Sequence, residues 1–439
     1  MNVRRRAARA WCLYDWANSA FATTVMAALF PPFFRELAMA GGLAPHAATA
    51  AWGYVTAGAL LLLAVTAPLL GAAADAGGRR KVFLAVALGL GVAATASFAL
   101  LQAGQWRAAA ALFVAANFGF GTSILFYESL LPGLAQGPEL DRLSARAYGL
   151  GYAGGGLLLV VNLLWVLRPA WFGLPDAGAA VRVSFVSVAV WWAVFALPLL
   201  RRVPEPPATG GPAGPAAAWR RLVATCREVR RYRQLSLLLL AYWVYNDGIG
   251  TIVKMATAYG SELGIGLTHL MGALVLTQVV GIPCALLFGR LAGRIGPRAA
   301  ILLALGVYLG IAVGGYFMAT AWHFYLLAGL VGTVQGGAQA LSRSLFASMV
   351  PRHRSAEFFG FYSTSGKLAG VVGPLVFGLV SQAAGSGRLG ILALVVFFAA
   401  GGALLLRVDV AGGRAAARLA EVAAGRTWPD PGEELSCQP

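Results

Sequence analysis

Gly71-Ala-Ala-Ala-Asp75-Ala-Gly-Gly78-Arg79-Arg80-Lys81 joins one long apolar run to the next. Gly289-Arg-Leu-Ala-Gly293-Arg-Ile-Gly296-Pro297-Arg298 does the same 218 residues later. Both stretches have the form G-x-x-x-D/G-x-x-G-x-R. Pro132 and Pro351, each just past a later run, stand 219 positions apart. Two short basic loops of one form, in the same place in two successive series of runs, predict two parallel repeats rather than one irregular series.

The runs themselves fix the solvent. Of 439 residues, 59% are hydrophobic and 12% charged, where a soluble domain carries about 25% charged residues. A water-soluble globule of this length cannot hide that much apolar surface. A membrane span takes about 20 apolar residues to cross about 30 Å of hydrocarbon. Twelve runs qualify, at 11–34, 51–73, 82–103, 108–128, 145–167, 181–200, 235–258, 268–290, 299–319, 322–343, 357–383 and 389–406. The first is longer than a signal-peptide core and carries Asp15, Asn18 and Ser19, so it reads as a retained helix.

Net charge is +17. The cations sit in short clusters between runs, not on a basic face, which fits membrane topology and not nucleic-acid binding. With the N-terminus inside, the inner segments hold 27 Lys and Arg and the outer ones 5. Both termini are therefore expected in the cytoplasm. The expected organisation is a six-helix bundle over 1–200, a cytoplasmic linker at 201–234, a second bundle over 235–406 and a cytoplasmic tail at 407–439. Pro204 to Pro215 reads as flexible chain, and Arg220 to Arg233 as a surface helix on anionic lipid.

The 71–81 loop resembles the signature loop between helices two and three of the major facilitator superfamily. Its Gly71 and Gly78 permit close approach of helix ends, Asp75 can accept bonds from a helix N-terminus, and Arg79 and Arg80 can anchor in headgroups. Tyr14-Asp15-Trp16-Ala17-Asn18-Ser19-Ala20-Phe21 is similar to the opening signature of the vacuolar amino-acid effluxer family, an autophagy-related branch with many bacterial members. Phe126-Tyr127-Glu128-Ser129-Leu130-Leu131-Pro132, Tyr245-Asn246-Asp247-Gly248 and Gln335-Gly336-Gly337-Ala338-Gln339-Ala340-Leu341-Ser342-Arg343-Ser344 resemble further stretches of it. The resemblance implies a major facilitator fold, an all-α polytopic membrane protein of twelve transmembrane helices in two six-helix bundles. It also implies a central cavity lined by helices one, four, seven and ten, and efflux of neutral amino acids as in the fungal members.

Ionisable groups inside a membrane cost about 2.5–3.5 kcal/mol on insertion scales, so they are the first candidates for function. Span seven carries Asp247, Thr251 and Lys254 on one face, with Tyr245 and Asn246 beside them. Asp247 lies near the middle of its run and is the expected central carboxylate. Span one offers Asp15 and Asn18, span ten Gln335 and Gln339, and span eleven Lys367. Each can instead be a structural bond between helices. Glu128 and Arg343 lie at the same ends of spans four and ten and are expected to pair as a gate, or Arg343 to snorkel into headgroups.

Two motifs are decoys. Gly149-Leu-Gly151-Tyr-Ala-Gly154 satisfies G-x-G-x-x-G, but it lies in an apolar helix with no strand before it. Gly360 to Lys367 has the wrong spacing for a phosphate loop, and Leu368 stands where Ser or Thr would hold magnesium. The four cysteines form no metal-binding or redox pattern. The expected function is secondary active transport of a small solute, an amino acid or related metabolite, by alternating access. A lipid or hydrophobic-solute exporter on the same fold and a non-transporting sensor are the alternatives. No enzyme, cofactor, metal or nucleic acid is expected. A small-molecule substrate, a proton or another coupling ion and membrane lipids are the expected partners of a monomer. The Ala, Arg and Gly richness points to a bacterial inner membrane.

Overall fold

A computed structural model describes residues 2–207, 232–265, 267–368, 370, 372–384 and 386–425. The linker beyond 207, with the expected surface helix up to 231, and the tail beyond 425 lie outside the described residues. Among the described residues everything regular is helical. The first helix, α1, runs through Asn2–Ala20, a π-helical stretch Phe21–Leu29 and Phe30–Ala40. Pro31 and Pro32 follow that stretch at once, and neither has an N–H for the carbonyl a turn earlier. The first half continues with α2 (Pro45–Gly77), α3 (Arg80–Ser97), α4 (Trp106–Ser129), α5 (Gly137–Leu167) and α6 (Ala177–Arg202). The second half is α7 (Arg233–Glu262), α8 (Leu267–Ile295), α9 (Pro297–Tyr316), α10 (Ala321–Ser348), α11 (Ser355–Leu368 and Val372–Ala384) and α12 (Gly387–Ala393 and Val395–Leu406). A further helix, α13 (Val410–Ala423), lies in what the sequence suggested was only a tail.

Nine helices among the described residues are long and apolar enough to cross a membrane. The other three expected spans are α1, α10 and α11. α1 and α10 carry the polar faces named above, and α11 is described only as Ser355–Leu368 and Val372–Ala384. For α1 and α10 the shortfall has a physical reason: a helix that faces a polar cavity does not need an apolar circumference.

The halves repeat one packing pattern. α1 lies against α6 as α7 lies against α12; α3 against α4 as α9 against α10; α2 against α4 as α8 against α10. Even the loop contacts recur. Lys81, at the start of α3, donates from Nζ to the Val203 carbonyl just past α6 (2.7 Å), and Arg298, at the start of α9, donates from Nη1 to the Val408 carbonyl just past α12 (2.8 Å). An aromatic core fills the first half, with Phe30 stacked on Phe113 (5.0 Å) and set against Phe98 (4.4 Å). Large apolar side chains such as Leu61, Val86, Val190, Leu303 and Leu379 point outward, where lipid is their only suitable solvent.

The halves meet along two seams, α2 with α11 and α5 with α8. Glycine makes the approach possible. A Cβ on Gly71 would stand 2.3 Å from the Ala356 carbonyl oxygen, and one on Gly289 would stand 2.5 Å from the Ala145 methyl. Both seams are tight at the end of the molecule that carries the 71–81 loop, called here the basic end.

Candidate functional site

Asp75 ties the first seam. It takes Nε of Arg80 at 2.5 Å and accepts from the backbone N–H groups of Ala356 (3.3 Å) and Glu357 (2.9 Å), which open α11. A carboxylate at a helix N-terminus satisfies donors that have no partner within the helix and complements the helix dipole. Arg80 extends the clamp, donating to the carbonyls of Ser129 (3.3 Å), Arg352 (2.9 Å) and His353 (3.2 Å). Gly78 closes α2 in the left-handed region at φ +57°, the turn that brings Arg80 back beside Asp75. Arg79 is exposed on the basic end. In the second half Gly293 replaces the carboxylate, and its nearest neighbour is the Arg142 guanidinium, 3.5 Å from a built Cβ.

On the inner side of the seams lies a cavity of about 320 Å³. α1 lines it with Asp15, Asn18 and Thr23, α4 with Ile124 and Glu128, α5 with Tyr148 and Tyr152, α8 with Gln278, and α10 with Gln335, Gln339 and Arg343. Thr23 is held by bonds from its hydroxyl to the Ser19 (3.0 Å) and Gly155 (3.1 Å) carbonyls.

Arg343 closes the cavity toward the basic end. It is 1% exposed, so it does not snorkel to headgroups. Nη1 donates to Asp15 Oδ2 at 3.1 Å and lies 3.9 Å from Glu128 Oε1. Nε and Nη2 donate to the Ser144 hydroxyl (2.9 Å) and carbonyl (3.0 Å), and that hydroxyl donates in turn to the Ala340 carbonyl (2.7 Å). The rings of Trp11, Tyr127 and Tyr148 surround the guanidinium, with centroids 4.9, 5.6 and 4.4 Å from its carbon. Trp11 is fixed by stacking on Tyr127 (4.4 Å) and by its Nε1–H bond to the Tyr127 carbonyl (2.8 Å). The expected partner Glu128 is thus present, but Asp15 is nearer. The aromatic walls were not anticipated. Trp11 and Tyr148 stand one turn from Asp15 and Ser144, and that spacing was the available signal.

The expected polar face of span seven lies elsewhere. Among the described residues, none from α7 lines the cavity; α5 and α8 do so in its place. Asp247 is 2% exposed and sits beside Gly373 of α11, where a built Cβ would be 2.8 Å from Asp247 Oδ1. The Thr251 hydroxyl donates to the Asp247 carbonyl (2.7 Å). Tyr245 reaches α10 from behind, its hydroxyl 2.6 Å from that of Ser342, and Asn246 is half-buried. The side chains of Lys254 and Lys367 lie outside the described residues.

The family model described as "Vacuole effluxer Atg22 like" matches residues 3–418. The chain belongs to this family. Among Atg22-like proteins it is 36% identical to the uncharacterized MFS-type transporter YxiO of Bacillus subtilis (strain 168), over 89% of this chain and 92% of that one. It is 26% identical to autophagy-related protein 22 of Yarrowia lipolytica, over 64% of this chain and 52% of that one, so it spans about half the fungal protein. In fold it is similar to the human organic anion transporter MFSD10 (TM-score 0.73, 16% identity, 92% of this chain and 100% of that one). It is similarly close to the proton:xylose symporter XylE (TM-score 0.72, 14% identity, 92% of this chain and 95% of that one). This Atg22-like protein is therefore an integral membrane transporter of the major facilitator type, with the twelve-helix fold.

Proposed function

We propose that the protein is a secondary active transporter that moves a small polar solute, an amino acid or related metabolite, by alternating access of its two halves. The observation that carries this reading is the cavity of about 320 Å³, lined from both halves by side-chain amides and carboxylates and closed at one end by Arg343. Amide and carboxylate linings suit a hydrophilic solute better than a lipid tail. The basic end is assigned to the cytoplasm, together with both termini, on the charge bias; the described conformation is then closed to the cytoplasm. A bacterial inner membrane and a monomeric state belong to the same reading. Energy comes from an ion or solute gradient, with a proton the first coupling ion to test and efflux the direction the family name suggests.

Purified protein in liposomes, preloaded with each of a panel of amino acids and given an outward or inward pH gradient, tests this. Accelerated flux of at least one amino acid, altered by the gradient, is the expected result. Flux of labelled phospholipid without any amino-acid flux would put the lipid-exporter alternative in its place.

A further inference from the structure

We propose that the socket around Arg343 is a cation-recognition site belonging to the first half. It holds the Arg343 guanidinium while the halves are closed, and takes the guanidinium or ammonium head of an organic cation when Arg343 withdraws. The withdrawal rests on the alternating-access reading above; the binding does not.

The socket has an asymmetry that an ordinary structural ion pair lacks. Its walls come from the first half: Trp11 and Asp15 from α1, Tyr127 and Glu128 from α4, Ser144 and Tyr148 from α5. The guanidinium comes from the second, together with the Ala340 carbonyl that takes the Ser144 hydroxyl and with Tyr242 of α7 nearby. Separating the halves at this end therefore leaves the three aromatic faces and both carboxylates on one side and the guanidinium on the other. The receptor is built for a monocation with N–H groups. Three aromatic faces within 4.4–5.6 Å of the guanidinium carbon supply quadrupole attraction, and two carboxylates and the Ser144 carbonyl supply acceptors. Aromatic faces cannot replace the tightly held water shell of a small inorganic cation, whereas a guanidinium is weakly hydrated, so the set favours an organic cation.

Charge gives the site its affinity once empty. Asp15 Oδ2 and Glu128 Oε1 both stand within 4 Å of the guanidinium, so its withdrawal takes a cation from beside two carboxylates. Buried anions of that density draw in a cation. Asp15, Glu128, Tyr148 and Arg343 all line the cavity, so a solute in the cavity reaches the socket without crossing another barrier. A solute cation and Arg343 then compete for one place. By linkage, whatever fills the socket in place of Arg343 favours the separated state, and whatever holds Arg343 in place disfavours solute binding.

The test uses the full-length protein in detergent, with methylguanidinium chloride as probe and sodium chloride at equal ionic strength as control. In Arg343→Ala the probe should raise the thermal unfolding midpoint saturably, by about 3 °C, with half-saturation on the order of 1–10 mM. Wild type, whose socket is filled, should show no shift beyond the salt control. Adding Asp15→Asn to Arg343→Ala should abolish the rise. No saturable rise in Arg343→Ala, or an equal rise in wild type, overturns the proposal. If Arg343→Ala cannot be purified folded, Arg343→Gln takes its place. If both fail, the yield of monodisperse protein solubilised with and without the probe is the readout, and no recovery overturns the proposal. Rescue without amino-acid flux in liposomes would leave the socket standing and remove the proposed substrate; flux without rescue would do the reverse.

Discussion

Arg343 and Asp15, 328 positions apart in the chain, meet at 3.1 Å across the two halves. That contact joins the only long cationic side chain lining the cavity, among the described residues, to the helix that opens the chain. Removing one partner of a buried pair leaves the other charge uncompensated, which costs about 3–5 kcal/mol in soluble proteins.

Asp15 and Glu128 should therefore differ in weight. Asp15 bonds Arg343 at 3.1 Å, whereas Glu128 stands 3.9 Å away. Asp15→Asn is expected to lower both thermal stability and solute flux, the latter by tenfold or more in order of magnitude. Glu128→Gln should cost less in stability. Melting curves and liposome flux on the two variants check this; a larger stability loss in Glu128→Gln would reverse the order. Arg343→Lys should not substitute, because an ammonium cannot span Ser144 and Asp15 at once.

The two signature loops give a second contrast. Asp75→Asn keeps the shape but weakens three contacts, to Arg80, Ala356 and Glu357. Gly71→Ala places a methyl 2.3 Å from the Ala356 carbonyl oxygen. Both should cut transport severalfold with the protein still inserted. Gly293→Ala meets only the mobile end of Arg142, at 3.5 Å, and should be near neutral. Equal losses at all three positions would mean that the loops are not specialised.

Asp247 is set against Gly373 and not against the cavity. Asp247→Asn is expected to shift thermal stability while leaving the KM for solute within about twofold. A normal melt with loss of concentrative uptake would instead put this carboxylate in the ion pathway.

The C-terminal helix offers a pH readout. Burial pushes the Glu421 carboxyl up, but bonds from the His353 ring (2.7 Å) and N–H (2.9 Å) outweigh it and hold the carboxyl below its ordinary value of 4.5. A carboxyl lowered in the folded state contributes stability above its unfolded pKa, and that contribution fades as pH falls through the folded one. Docking of α13 should thus be constant near neutrality and weaken below about pH 4.5. The protection of amides across 410–423, relative to the unfolded chain at the same pH, should fall in that window, and Glu421→Gln should remove the pH step. Unchanged protection down to pH 3 would show that the Glu421 bonds to His353 do not hold α13 in place.

The expected topology is open to direct labelling. In a cysteine-free background, an impermeant thiol reagent on intact cells should mark a cysteine at position 42 and spare one at position 210. Labelling at 210 would invert the assignment of the basic end.

The spans, the parallel repeat and the identity of the basic end were legible in the chain, because each is a one-dimensional property. Span length follows from bilayer thickness, the repeat from spacing, and the end from where Lys and Arg fall between runs. The pairing of Glu128 with Arg343 was also within reach, since both residues fall at matching ends of spans four and ten. Which carboxylate would face the cavity was not. Asp15 and Asp247 look alike in sequence, each an acid on a polar helical face. Their fates divide on helix rotation and neighbour choice. Gly151 and Gly155 let α5 press on α1 near Asp15 and Ser19, while Gly373 lets α11 close over Asp247. The sequence by itself determined that charges would be buried in a membrane and where along each helix. Only the tertiary structure decided which of them share a cavity, because side-chain direction around a helix acquires meaning only from the helices packed against it.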